Sequence, residues 1–180
     1  MSVTEWSLLA DNLILKTSVF EVRNFSCRSP KDGLGKNFSI LLCPDWVQTL
    51  AITPDEKAVL VRQYRQGTRE ISLELPGGII EPGQTPLDAG RRELMEETGY
   101  STEAFYQLAT FRPNPAIQTN TVYAFVADNA VLSGPTHFDP NEDLDLVLVP
   151  VKELHDFILQ GKINHVIMVA TILFYFSLKR

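Results

Sequence analysis

Residues Gly77 to Tyr100 read GGIIEPGQTPLDAGRRELMEETGY, a glycine-rich loop followed by a segment whose two ends are both marked. Thr85 suits a helix N-cap, and Pro86 suits the first helical position, where its missing N–H costs nothing. Asp88 completes a box-like pair with Thr85 beside the positive helix terminus. Gly99 supplies the left-handed stop. A helix over Pro86 to Thr98 is therefore predicted. Within it Glu93, Glu96 and Glu97 stand at i, i+3 and i+4, so three carboxylates share one face with Cβ atoms about 5–6 Å apart. Two such charges at ~4 Å repel by about 1 kcal/mol in water and about 4 kcal/mol at an effective dielectric of 20. A half-buried cluster of this kind calls for a cation, and hard carboxylate oxygens suit Mg²⁺ or Mn²⁺. Arg92, beside them, can steer one carboxylate through a bidentate bond. The plain alternative is an acidic face turned to solvent.

Outward from this helix, turn signals fall at 30–35, 44–45, 54–55, 76–78, 113–115 and 134–141, and short apolar or β-branched runs lie between them. Strands are expected over Val19–Arg28, Asn37–Cys43, Val47–Ile52, Ala58–Tyr64 and Glu70–Leu75, then over Phe105–Phe111, Thr121–Ala127 and Leu144–Val149. Two further segments, Val151–Leu159 and Asn164–Leu178, read as helix. Strand runs with helices inserted singly give an α+β class with a mixed or antiparallel sheet, and disfavour a doubly wound fold.

The chain has 180 residues, 44% of them hydrophobic and 21% charged, which fits one globular domain, or one with a small terminal extension. A formal charge of −6 gives no broad basic face for nucleic acid. An anionic ligand would then need a metal. Cys27 and Cys43 have neither disulfide-framework nor zinc spacing and fit a reducing cytoplasm. The first fifteen residues lack the order of a secretion signal, and the longest apolar run, Val166–Phe176, falls short of the roughly 20 residues a bilayer helix needs, so no membrane is expected.

The helix and its loop resemble the Nudix box, G-x5-E-x7-R-E-U-x-E-E-x-G-U, where U is a bulky apolar residue. Gly78 opens the pattern, and Arg92, Glu93, Leu94, Glu96, Glu97, Gly99 and Tyr100 fill its later positions. Gln84 stands where the pattern has its first glutamate. That position is peripheral to the metal in the family, so activity is expected to survive. The upstream LVRQYRQGTREISLELPGG (60–78) and the downstream NPAIQTN, NEDLDLVLVPV and QGKINH resemble the ADP-ribose pyrophosphatase and nucleotide-sugar branch. Ala116 stands where that branch usually has glycine.

The resemblance implies an α/β/α sandwich with a mixed central sheet over residues 45–180. It also implies an antiparallel N-terminal β-region, residues 1–44, that serves dimerisation and substrate contacts in a homodimer. It implies Glu93 and Glu97 as principal metal ligands, Glu96 as a further one, and the Gly77 carbonyl as a backbone ligand. The base in this branch lies on a later loop. The matching segment is Asn141-Glu142-Asp143, with Glu142 the first choice and Asp139 and Asp143 behind it. Arg65 is expected on the diphosphate or terminal sugar, and Glu74 on the loop or a ligand hydroxyl. Phe38 is the candidate for stacking a nucleobase, ahead of Trp6, Phe20, Phe25 and Trp46. His137, His155 and His165 lack metal spacing and read as structural.

The activity implied is metal-dependent hydrolysis of the diphosphate in ADP-ribose or a nucleoside diphosphate sugar. The alternative is a catalytically weak nucleotide-binding module that keeps the fold, for which Gln84 is the only support.

Overall fold

A computed structural model describes residues 3–138 and 143–179. The chain divides into two compact units, Met1–Pro44 with Arg112–Thr121, and Asp45–Phe111 with Val122–Arg180.

The first unit is an antiparallel meander of β1 (Ser7–Lys16), β2 (Glu21–Arg28) and β3 (Gly35–Leu42). Thr17 closes the first turn, its hydroxyl donating to the Phe20 carbonyl and accepting the Phe20 N–H. The second turn needs Gly33 at φ 72°. Residues 117–119 lie along the end of β3, where Leu41 donates to the Ile117 carbonyl and Thr119 donates to the Leu41 carbonyl. β1 was not among the expected strands. It carries register shifts between Leu8 and Ala10 and between Leu13 and Leu15, so its apolar residues come in adjacent pairs and the period of two is lost.

The second unit is built on a sheet ordered β11 (Leu144–Pro150), β5 (Lys57–Arg65), β4 (Trp46–Ile52), β9 (Val122–Asp128) and β8 (Phe105–Phe111). β4 and β9 run parallel and the other pairs antiparallel, so the sheet is mixed. The inner strands are apolar on both faces, as a doubly covered sheet requires. Val47, Ala51, Val59, Phe125 and Ala127 face the core under α1 (Pro86–Thr98), with Ala89, Leu94 and Phe105. Leu50, Ile52, Leu60, Val122 and Val126 face the opposite core, with Ile167, Met168 and Ile172 of α3 (Val166–Leu178) and Leu154 of α2 (Leu154–Leu159). This is the expected α/β/α sandwich.

α1 has the expected bounds. The segment Val151–Leu159 instead divides into a 3-10 turn, Val151–Glu153, and the short α2, and α3 begins two residues later than read from the sequence. Two short strands, β7 (Tyr100–Ser101) and β10 (Val131–Leu132), pair with each other. Among the described residues no helix is long and apolar enough to cross a membrane.

The sheet forks at β5. This strand pairs with β4 only at Ala58 and Val59, and from Val61 onward β6 (Glu70–Glu74) takes the same side. The edge of β4 beyond the fork is covered by the loop after β6. Thr49 donates to the Pro76 carbonyl, Val47 to the Gly78 carbonyl, and Ile80 to the Asp45 carbonyl, each at 2.9 Å. Between these bonds the Gly77 N–H is left free of β4 and turns to Glu97 of α1, while its Cα stays packed against the strand.

Candidate active site

α1 ends on its designed stops. The Thr85 hydroxyl accepts the Asp88 N–H at 3.2 Å and donates to the Asp88 carboxylate at 2.6 Å. Gly99, at φ 73°, returns its N–H to the Met95 carbonyl. The chain then passes back over this helix end. Ser133 and Gly134 donate to the Gly99 carbonyl, and His137 donates to the Glu96 carbonyl at 2.8 Å, which satisfies acceptors a helix terminus would otherwise leave open.

Glu93 and Glu97 are buried, Glu93 at 9% and Glu97 at 4% exposure, and both face a cavity of about 450 Å³ beside the fork. Glu96 lines the same cavity from a more exposed position, with Gly77 and Gly78 across from the helix. The loop is cut to fit the carboxylates. The Gly77 N–H donates to Glu97 Oε2 at 2.9 Å. A Cβ at Gly77 would lie 2.2 Å from the Val47 carbonyl oxygen, and one at Gly78 would lie 2.5 Å from Glu93 Oε1. Gly77 meets backbone and admits no side chain, whereas one at Gly78 would displace the Glu93 carboxylate.

Arg92 ties the group together, though not as expected. In place of a bidentate bond to one carboxylate it spans two, Nη2 to Glu93 Oε1 at 2.8 Å and Nη1 to Glu96 Oε2 at 2.7 Å. Nη2 also reaches the Ile79 carbonyl and, at 3.5 Å, Gln84 Oε1. Burial works against its charge, but the Glu96 hydrogen bond and the Glu93 charge hold the guanidinium above the ordinary arginine value. Gln84 thus serves as a neutral acceptor for Arg92 and for the Glu81 N–H at 3.3 Å.

Arg65 also lines the cavity. Its Nε and Nη2 bond the Glu74 carboxylate at 2.8 and 2.6 Å, and Glu74 is only 2% exposed. Burial alone would raise the Glu74 pKa, yet Arg65, helped by His165, holds it well below the usual carboxylate range. Glu74 therefore aims Arg65, and it stands outside the residues that line this cavity. His137, set aside in the sequence, does line it. No spacing relates His137 to the box, since it arrives only through the return of the chain over the end of α1. Phe38 belongs to the first unit, where its ring meets Trp6 edge-on at 5.4 Å. Glu142 and Asp139 lie outside the described residues.

Among the described residues no three His, Cys, Asp or Glu side chains stand ready as a single ion-binding group. Arg92 draws Glu93 and Glu96 to itself in this arrangement. The donor set nonetheless fits a hard divalent ion of the Mg²⁺ type, which is commonly held by one or two carboxylates with water and phosphate oxygens completing the shell. Glu93 and Glu97 are near-buried all-oxygen donors, held against a glycine cradle that a Cβ would fill.

Comparison with known proteins agrees with this geometry. The NUDIX domain model matches residues 47–170. The chain is 28% identical over 123 residues to the ADP-ribose pyrophosphatase of Bacillus subtilis, a match covering 68% of this chain and 66% of that protein. It is 31% identical over 133 residues to the methanol dehydrogenase activator of Bacillus methanolicus, covering 73% and 72%. The chain thus spans about two thirds of the length of these relatives. A crystal structure of an ADP compounds hydrolase has the same fold, with a TM-score of 0.86 at 21% identity over 98% of this chain and 95% of that one. The family match takes in the fork, the glycine loop and the carboxylate helix together, and the chain belongs to the Nudix family.

Proposed function

We propose that the chain hydrolyses the diphosphate bond of ADP-ribose or a related nucleoside diphosphate sugar, giving a nucleoside monophosphate and a sugar phosphate. The observation that carries this reading is the charge of the cavity, where four glutamates (Glu81, Glu93, Glu96, Glu97) face two arginines (Arg65, Arg92). So acidic a wall repels a dianionic diphosphate unless cations stand between them. The names of the relatives point to the same chemistry.

Glu93 and Glu97 are the principal ligands in this reading, with Glu96 and the Gly77 carbonyl supplementing them. Mg²⁺ or Mn²⁺ bound there supplies charge neutralisation and Lewis acidity at the phosphate oxygens. Arg92 holds Glu93 and Glu96 in register, and the Gly77 amide fixes Glu97. Arg65 bonds the diphosphate through a planar guanidinium aimed by Glu74. Glu142 accepts a proton from the attacking water as the P–O–P bond breaks, and the departing phosphate oxygen leaves on the sugar phosphate.

Residues 1–44 serve a homodimer and contribute substrate contacts, Phe38 against the base. β1 supports this assignment, since Leu8, Leu9, Leu13, Ile14 and Leu15 are all at least 50% exposed on an edge strand, and Trp6 just before it is 45% exposed. The free thiols of Cys27 and Cys43 suit the cytoplasm. The test is a panel of ADP-ribose, ADP-glucose, GDP-mannose and UDP-sugars with Mg²⁺ or Mn²⁺, the products separated by chromatography. Paired monophosphate and sugar phosphate are expected from at least one compound, and a panel left intact would reject the proposal.

A further inference from the structure

A second cavity, of about 540 Å³, shares Arg65 with the carboxylate cavity. Arg65 is not an ordinary surface ion pair, because its guanidinium is fixed by two hydrogen bonds to a carboxylate that is itself buried. The Glu74 Oε2 that accepts from Arg65 Nη2 also lies 3.7 Å from His165 Nδ1. An arginine held this firmly on the wall of two cavities suits an anionic group that passes from one to the other.

The lining of the second cavity indicates what lies beyond that anion. Thr68, Ser72 and Asn164 offer hydroxyl and amide groups, and Glu70 adds a carboxylate. Ile71 and Val166, at 69% and 65% exposure, present apolar surface at the same place. No Phe, Tyr or Trp stands among the described lining residues, and the small imidazole of His165 is the one aromatic ring there, so the cavity offers little of the broad stacking surface a nucleobase prefers. Hydrogen-bonding groups beside an aliphatic patch match a sugar ring, whose edge is hydroxyl and whose faces are C–H. The volume lies within the range of small-ligand sites. Glu70 accepts hydrogen bonds from sugar hydroxyls and repels a sugar that carries its own phosphate or carboxylate.

We infer that this second cavity receives the neutral terminal sugar of the substrate, the group across the diphosphate from the nucleoside, while Arg65 bonds the phosphate joining the two. The inference rests on the hydrolase reading above and adds where the sugar lies and which sugars are refused.

The experiment compares ADP-ribose with the methyl ester of ADP, which keeps the nucleoside and diphosphate but has no terminal sugar. Asn164→Ala is expected to raise KM for ADP-ribose at least fivefold more than KM for the methyl ester. Glu70→Lys is expected to shift the kcat/KM ratio of UDP-glucuronate to UDP-glucose at least fivefold towards the acidic sugar. The methyl ester, hydrolysed by each variant, reports that the variant is folded. Equal KM changes for both ADP compounds together with an unmoved sugar-acid ratio would overturn the inference and leave the hydrolase reading standing. Wild-type protein that cleaves none of these four compounds would overturn the inference, and would overturn the hydrolase reading as well if ADP-glucose and GDP-mannose were also left intact.

Discussion

Glu74 shows how one buried acid governs a neighbour. Its pKa lies below the ordinary 4.5, because the Arg65 bonds outweigh the burial that would raise it. A carboxyl depressed on folding stabilises the native state at pH values above its unfolded pKa, and that contribution fades as pH falls through and below about 4.5 towards the folded value. Glu74→Gln is expected to cost about 1–3 kcal/mol at pH 7, a fall of about 2–4 °C in Tm per kcal/mol. The loss should shrink as melts are taken at progressively lower pH below about 4.5. A constant difference across the acid range would show that the pair does not titrate with folding. Gln84 is a milder case, a neutral acceptor for Arg92 and the Glu81 amide. Gln84→Glu keeps both acceptors, so initial rates should be equal or up to about threefold higher, whereas a tenfold loss would give Gln84 a role of its own. The shared face of Glu93, Glu96 and Glu97 was legible in the sequence because it follows from helical spacing. The spanning of two carboxylates by Arg92 was not, since spacing alone does not choose between one partner and two.

At the scale of elements, two glycines separate site from scaffold. Gly78→Ala puts a Cβ against the Glu93 carboxylate, a flexible side chain that can yield, so turnover should fall about tenfold or more with little change in denaturation midpoint. Gly99→Ala meets a left-handed φ of 73° and the Gly134 carbonyl at 2.3 Å, which is backbone, so stability should fall by more than about 1–2 kcal/mol in urea unfolding. The reverse pattern would mean that the loop and the helix stop have exchanged roles. Both ends of α1 could be read in advance because Thr85, Pro86 and Gly99 each have one strong local preference. β1 could not, since its bulges erase alternation, and the fork at β5 could not, since where β4 hands over to β6 is a matter of pairing between distant strands. That fork is what lets the Pro76–Ile80 loop line β4 and turn the Gly77 N–H towards the helix.

For the whole molecule, the apolar β1 edge leads to an expected dimer. Sedimentation should give twice the 20.2 kDa chain mass, and Leu13→Glu with Leu15→Glu should give single chains. A monomeric wild type would remove that assignment without touching the carboxylate cavity. The α+β class with a mixed or antiparallel sheet followed from the order of strand and helix signals and the two helical layers from the family resemblance, whereas His137 reached the site only through the fold. The proposed reaction requires acids gathered on α1 to act through divalent ions on a diphosphate. The direct measurement is the rate of AMP and ribose 5-phosphate formation from ADP-ribose as Mg²⁺ is titrated from a chelated start, in wild type and in Glu97→Gln. Turnover absent without Mg²⁺, saturating with it, and reduced about 100-fold or more in a Glu97→Gln protein of near-wild-type Tm is expected. Equal rates in the two proteins at saturating Mg²⁺, or full turnover in chelator, would contradict it.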